Sequence, residues 1–470
     1  MRVLAASAAI LAPGAALACA LAPSIILTLP TDYYLAGAGL TVAVTGLLAA
    51  SLHRLPALRA VTLWDRPVLI PETVTSYLGF LFLALLVIIG HFGSSDPMHN
   101  LLALWVWTGL WVALPLAMML FGNLWRMMNP WTGPVRIARA LFGRKGGIGL
   151  TRLGHWPAVA GLFAFFWFYI VSLSPEDPQH LARLVLIYWL VIFALAVAEG
   201  EDWLQQGEFL TVYLTLIARI APFWLEITGN RARLRAGFPG AQVLEMPPLS
   251  PSAIAFVTLA LAGLSFDGLA GTFRWLALIG ENPLEFTGRS AVMGVNTAGL
   301  ILSWALTAGL ILGALKLGAV LARGPVMAVA GGGGGLRGGG QAPDMGAMLP
   351  VMLSFLAIAA GYHAAHHLVI LLTTGQYTLA ALNDPLFRGD AFLGLSVYFV
   401  SMGFLADRSA MIALWNAQFA LILGAHVLAV ILSFRLAGPH LPARAHLPLT
   451  LLMVGYTVFG LWLLSAARGF

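Results

Sequence analysis

Three histidines in GYHAAHHLVILLTTGQ, namely His363, His366 and His367, stand at i, i+3 and i+4 inside an apolar run, and a fourth, His426, lies within LILGAHVLAV. At 100° per residue the three share an arc of about 100° on one side of a helix. Imidazole is both the commonest metal ligand and the side chain that changes charge near neutral pH. The pattern therefore suits haem axial ligation, a transition-metal site of copper, zinc or iron, or a proton relay. Ionisable groups are rare in lipid-embedded helices, which makes each one a candidate functional group. The alternative is that each hydrogen-bonds a neighbouring helix and fixes packing. Counted from the helix end nearest Gln376, His363 lies about 15 Å deep and His366 about 10 Å, with His426 about 20 Å deep on the next, antiparallel helix. By depth, His363 and His426 could therefore meet across the two helices. No acidic residue stands among the histidines on either helix, which favours haem or copper over a carboxylate-rich two-metal centre.

Other polar residues fall around this cluster. Gln376 and Asp384, in TTGQYTLAALNDPLFRGD, could cover the outward mouth of a histidine-lined cavity and serve a substrate or proton pathway, although Asn383-Asp384-Pro385 equally marks a turn. Asp267, in SFDG at the outer end of an apolar run, is candidate and turn residue together. His91, with His99, Asp96 and Met98 around HFGSSDPMHN, could form a metal site at the outer surface. The chain has no HExxH, no GxSxG, no Walker A and no GxGxxG after a strand, so catalytic residues are not assigned and the common soluble chemistries lack their signatures.

The elements that carry these residues are set by composition. Of 470 residues 60% are hydrophobic and 9% charged, with a mean hydropathy of +0.89; a soluble domain carries roughly 25% charged residues. Continuous apolar runs of about 20 residues each match the thickness of a hydrocarbon core. The expectation is all-α: a polytopic, multi-pass transmembrane helical bundle of about ten spans after an N-terminal signal-like segment. The spans are placed near 33–52, 74–91, 99–121, 157–173, 184–199, 252–265, 290–315, 348–373, 411–433 and 447–465. Residues 1–30 form the leader, with Ala16-Leu17-Ala18 as a candidate cleavage site. Residues 31–325 make a seven-helix part, 326–346 a Gly-rich cytoplasmic linker (GGGGGLRGGG), and 347–470 a three-helix part bearing the histidines. With the first span running inward, most of the 25 Lys and Arg residues fall in cytoplasmic segments, as in a bacterial inner-membrane protein. Phe209 to Ile227, interrupted by Arg219, Pro222 and Glu226, reads as an interfacial helix on the cytoplasmic side. A single cysteine, Cys19, excludes an internal disulfide. Arginines spread over short loops argue against nucleic acid, leaving the lipid bilayer and a small-molecule or ion ligand as partners.

Several segments in order, Asn129-Pro130-Trp131, Trp203–Phe223, Phe266-Asp267-Gly268, His366 to Gln376 followed by Asp384-Pro385, and His426, resemble a family of bacterial multi-pass membrane proteins often labelled "fenitrothion hydrolase". The resemblance covers most of the chain. It implies hydrolysis of an organophosphate ester and singles out His366 and His426, with His363 and His367 as additions in this chain. Three functions follow as expectations: an intramembrane histidine site for haem, a transition metal or protons; a proton-coupled permease for a small solute; or a membrane-embedded metal-dependent hydrolase.

Overall fold

Each expected apolar run folds as a helix, because in lipid the backbone must satisfy its own hydrogen bonds. The computed structural model describes residues 31–51, 60–285, 288–323, 345–396, 399–438 and 441–466. The leader and almost all of the Gly-rich linker lie outside them. The chain order is α1 (Thr31–Ser51), β1 (Val61–Pro67), α2 (Glu72–Phe92), α3 (Leu101–Phe121), α4 (Thr132–Leu141), α5 (Trp156–Val171), α6 (Pro178–Glu199) and α7 (Phe209–Ala218). It continues through β2 (Phe223–Thr228), β3 (Arg231–Ala236), α8 (Pro251–Ala270), α9 (Arg289–Ala322), α10 (Gly346–Leu372), α11 (Thr374–Asn383), α12 (Arg408–Ala437) and α13 (Ala443–Ser465). Among the described residues eight helices are long and apolar enough to cross a membrane: α2, α3, α6, α8, α9, α10, α12 and α13. Tyr34–Leu48, Trp156–Val171 and Phe209–Ala218 are shorter apolar helices.

Local chemistry sets the helix ends. Asp177 and Ser250 cap α6 and α8 by accepting from His180 N–H (2.6 Å) and Ala253 N–H (3.3 Å), with Pro178 and Pro251 in the first turn. Gly200 ends α6 and Gly438 ends α12, both at positive φ.

Burial sorts the long helices into two kinds. The most apolar stretches of α8 and α10 are 78% buried, whereas those of α2 and α6 are 22% buried and that of α9 28%. Leu78, Leu81, Leu85 and Ile88 on α2, and Ile187, Leu190 and Val191 on α6, face outward. In water such a surface would be one large apolar patch; against lipid chains it costs nothing. The two enclosed helices are the ones that carry Asp267 and the three clustered histidines. The axis of α10 approaches α12 closely, since a Cβ at Gly361 would stand 2.1 Å from the Ala425 Cβ. Both hydrophobic clusters of the core draw residues from either side of residues 326–346.

Two features depart from the sequence reading. Phe209 to Ile227 is not an interfacial helix: α7 covers only its first half, is buried on nearly every side, and gives way to a strand. Inside protein, a helix too short to span is shielded from lipid by its neighbours. The second departure is a three-stranded antiparallel sheet of order β1-β3-β2 attached to the helical bundle. Arg231, Arg233 and Arg235 alternate along β3. Arg231 and Arg233 bind Asp65 on β1, and Arg235 binds Glu226 on β2. The hydrogen bonds from Arg231 and Arg233 hold the exposed Asp65 carboxyl below its ordinary pKa.

Candidate metal centre

Asp267 sits one turn from the end of α8, and His366 and His367 lie in the last third of α10. Gly268 lets these helices meet: a Cβ there would stand 2.3 Å from the Tyr362 hydroxyl oxygen. The Asp267 Oδ2 and His366 Nε2 are 2.7 Å apart. One ligand atom from each of Asp267, His366 and His367 lies within 4.8 Å of the others, which makes this a group able to hold a metal ion. His366 is 7% exposed and His367 0%. Four-coordinate zinc with bonds of about 2.1 Å sets its ligand atoms about 3.4 Å apart, a spacing of the same order as that within this group.

The tautomer of His367 is fixed by its own helix. Its Nδ1–H donates to the His363 carbonyl at 2.9 Å, so the neutral ring turns the lone pair of Nε2 toward the cluster. The His366 ring stacks on Tyr362 (5.5 Å, 13°) and meets the edge of His367 (4.9 Å, 87°). Both imidazoles are thus restrained in rotation before any ion arrives.

His363 takes another part. Its Nε2–H donates to the Trp111 carbonyl at 2.9 Å, and its Nδ1 accepts from the Tyr213 hydroxyl at 2.9 Å. Both ring nitrogens are therefore used in tying α10 to α3 and α7. Trp111 belongs to a π-helical stretch, Trp105–Ala113, in which amides reach five residues back, as from Leu114 N–H to the Gly109 carbonyl. His426 repeats the geometry of His367, with Nδ1–H donating to the carbonyl four residues earlier (Ile422, 2.8 Å) and Nε2 buried without a hydrogen-bond partner among the described residues. It nevertheless falls outside the three-residue group.

The expected meeting of His363 and His426 is not formed: no hydrogen bond or ring contact joins them among the described residues, since His363 is turned toward Trp111 and Tyr213. The absence of acid on the histidine helices also proved a poor guide, because the carboxylate comes from a third helix. Asp267 is a helical residue rather than part of a turn. The other candidates sit elsewhere. Gln376 on α11 fastens the following loop, donating to the Ser401 carbonyl (3.0 Å) and accepting from Ser401 N–H (2.8 Å). Asp384 closes a turn by accepting from Arg388 N–H (2.9 Å) and Gly389 N–H (2.6 Å). His91, near the end of α2, lies beside Phe92. His99 pairs with Asp96 (2.8 Å) and packs on Phe387, joining that loop to the one after α11.

The sequence reading missed Tyr213 and Trp111 as supports of the histidine helix. A tyrosine in an otherwise apolar run, five residues after Glu208, was the signal available. No protein-family model, curated protein or solved structure matches the chain, so the case for this centre rests on its own geometry.

Proposed function

We propose that this chain is an integral protein of the bacterial cytoplasmic membrane that holds one divalent transition-metal ion between α8 and α10. The observation that carries the reading is the Asp267–His366 contact at 2.7 Å with His367 completing the group, enclosed between the two most buried of the eight membrane-length helices. Two imidazoles and one carboxylate suit zinc or ferrous iron, and three protein ligands leave positions for water or substrate. Haem is less well served, because His366 and His367 are neighbours on one helix and cannot face each other across a porphyrin. A metal-activated water is the chemistry such an ion supplies, and ester hydrolysis, implied by the resemblance, is the reaction to assay first. Asp267 and His366 share a hydrogen bond that sets both side chains side by side, and a bound ion would take the place of its proton. His367 presents Nε2, and His363 holds the helix in place.

The test is elemental analysis and the optical spectrum of the detergent-purified chain. About one zinc or iron per chain, lost in Asp267→Asn, supports the reading. A chain that stays metal-free after zinc loading, or that shows a Soret band, overturns it.

A further inference from the structure

Two adjoining cavities of about 390 and 340 Å³ lie at the end of the bundle that carries the sheet, within the size range of small-ligand sites. Asn123, Arg126, Thr215 and Arg219 line both and form their common wall. The wall comes from the segment after α3 and from the face of α7 turned away from His363, with Asn129 lining one of the two cavities. Glu208 caps α7 from a fully buried position, accepting from Leu210 N–H (2.7 Å), Thr211 N–H (2.6 Å), the Thr211 hydroxyl (2.5 Å) and the Tyr188 hydroxyl. The Thr211 oxygen in turn accepts from Trp125 Nε1 (2.9 Å) and Asn129 Nδ2 (3.3 Å). Thr211, Thr215 and Arg219 recur every four residues along one face of α7, with Tyr213 about 200° from Thr211 reaching the opposite side.

Of the four arginines lining the cavities, three form ion pairs. Arg126 pairs with Glu72, Arg136 with Glu201 and Arg235 with Glu226. Arg219 makes no ion pair and no side-chain hydrogen bond among the described residues; Glu245 acts on it only at longer range. Burial pulls the Arg219 pKa below its ordinary value, with Glu245 opposing the shift. The remaining carboxylates, Asp202 and Glu245, stand exposed at the rims. Beside Arg219, Asn123 Nδ2 donates to the Thr215 oxygen at 3.1 Å, which leaves the Thr215 O–H free to donate into the cavity. A half-buried guanidinium with no carboxylate partner, next to a hydroxyl donor, is suited to an oxyanion.

We propose that Arg219 and the Thr215 hydroxyl bind a singly charged oxyanion in the common wall of the two cavities, either the carboxylate of a small organic acid or the phosphodiester of a lipid headgroup. One guanidinium in contact with no carboxylate suits a singly charged group, and the cavity sizes set the scale of what is attached. The site does not depend on the metal centre, which lies on the far side of α7.

Sodium butyrate, against sodium chloride at equal ionic strength, and phosphatidylglycerol in neutral detergent are titrated into the purified full chain. Tryptophan fluorescence reports binding, since Trp125 and Trp224 line the cavities. Saturable binding of one probe is expected, weakened about tenfold or more in Arg219→Gln and less in Thr215→Val, while gel-filtration elution stays unchanged. Butyrate binding identifies a soluble acid, and phosphatidylglycerol binding a lipid. Absence of saturable binding by either probe, or an unaltered affinity in folded Arg219→Gln, overturns the proposal. If Arg219→Gln does not fold, Thr215→Val decides: a weakened affinity supports the site and an unchanged one overturns it.

Discussion

On one side of α7, Asp267, His366 and His367 are enclosed by α8 and α10, and their support is made of single hydrogen bonds of fixed direction. On the other, Arg126, Arg136 and Arg235 meet glutamates in half-exposed cavities where water shares the load. The contrast shows how one short helix serves two regimes. Where the surroundings are dry, each polar atom depends on one partner and losing it is expensive; where they are wet, charges compensate one another and single losses are absorbed. The wall between the regimes is itself unusual, since it hangs on one buried carboxylate, Glu208.

The contrast is broken most directly at the centre. Asp267→Asn is expected to weaken zinc binding by at least about 100-fold, more than the 10–100-fold typical of lost supporting hydrogen bonds, as measured by competition with a chromophoric chelator. His363→Ala leaves the Tyr213 hydroxyl and the Trp111 carbonyl without their imidazole and opens a cavity. A loss of about 3 kcal/mol in denaturation, with metal affinity down about tenfold, is the expected result. Glu208→Ala sits on the boundary and is expected to cost about 2 kcal/mol through loss of the helix cap. Unlike the first two it perturbs both regions, so cavity fluorescence and metal affinity shift together. On the wet side, Arg136→Gln is expected to cost less than about 1 kcal/mol, as exposed ion pairs do; a cost equal to that of His363→Ala would erase the distinction.

The smallest effect belongs to the sheet. Because Arg231 and Arg233 depress the Asp65 pKa, its contribution to stability is fully present above the ordinary carboxylate range and is lost as pH falls through the depressed value. Wild type and Asp65→Asn should therefore differ slightly in Tm at neutral pH and converge in acid.

The helices were legible because lipid-length apolar runs have few alternative structures, and the histidine stripe on α10 was legible from spacing alone. Its acidic partner was not, since Asp267 is about 100 residues away and only the packing of α8 on α10, made possible by Gly268, brings it within reach. The sheet had a readable signal in Gly229-Asn230, a two-residue hairpin turn between the alternating runs FWLEIT and RARLRA. The sequence reading instead ran FWLEI into an interfacial helix and counted the arginines as cytoplasmic charge. Nothing in WVWTGLWVA announced five-residue hydrogen-bonded turns, because the preference arises from how α3 meets its neighbours.

That wide stretch of α3 bears on how the chain can change length. A π turn accommodates one residue more than an α turn of the same kind, so a single deletion between Trp105 and Ala113 can close the helix to regular α geometry while the flanking turns stay in phase. The span would survive such a loss. What it would shift is the Trp111 carbonyl that His363 bonds, so the anchor of the histidine helix is held by a residue that membrane crossing alone does not require.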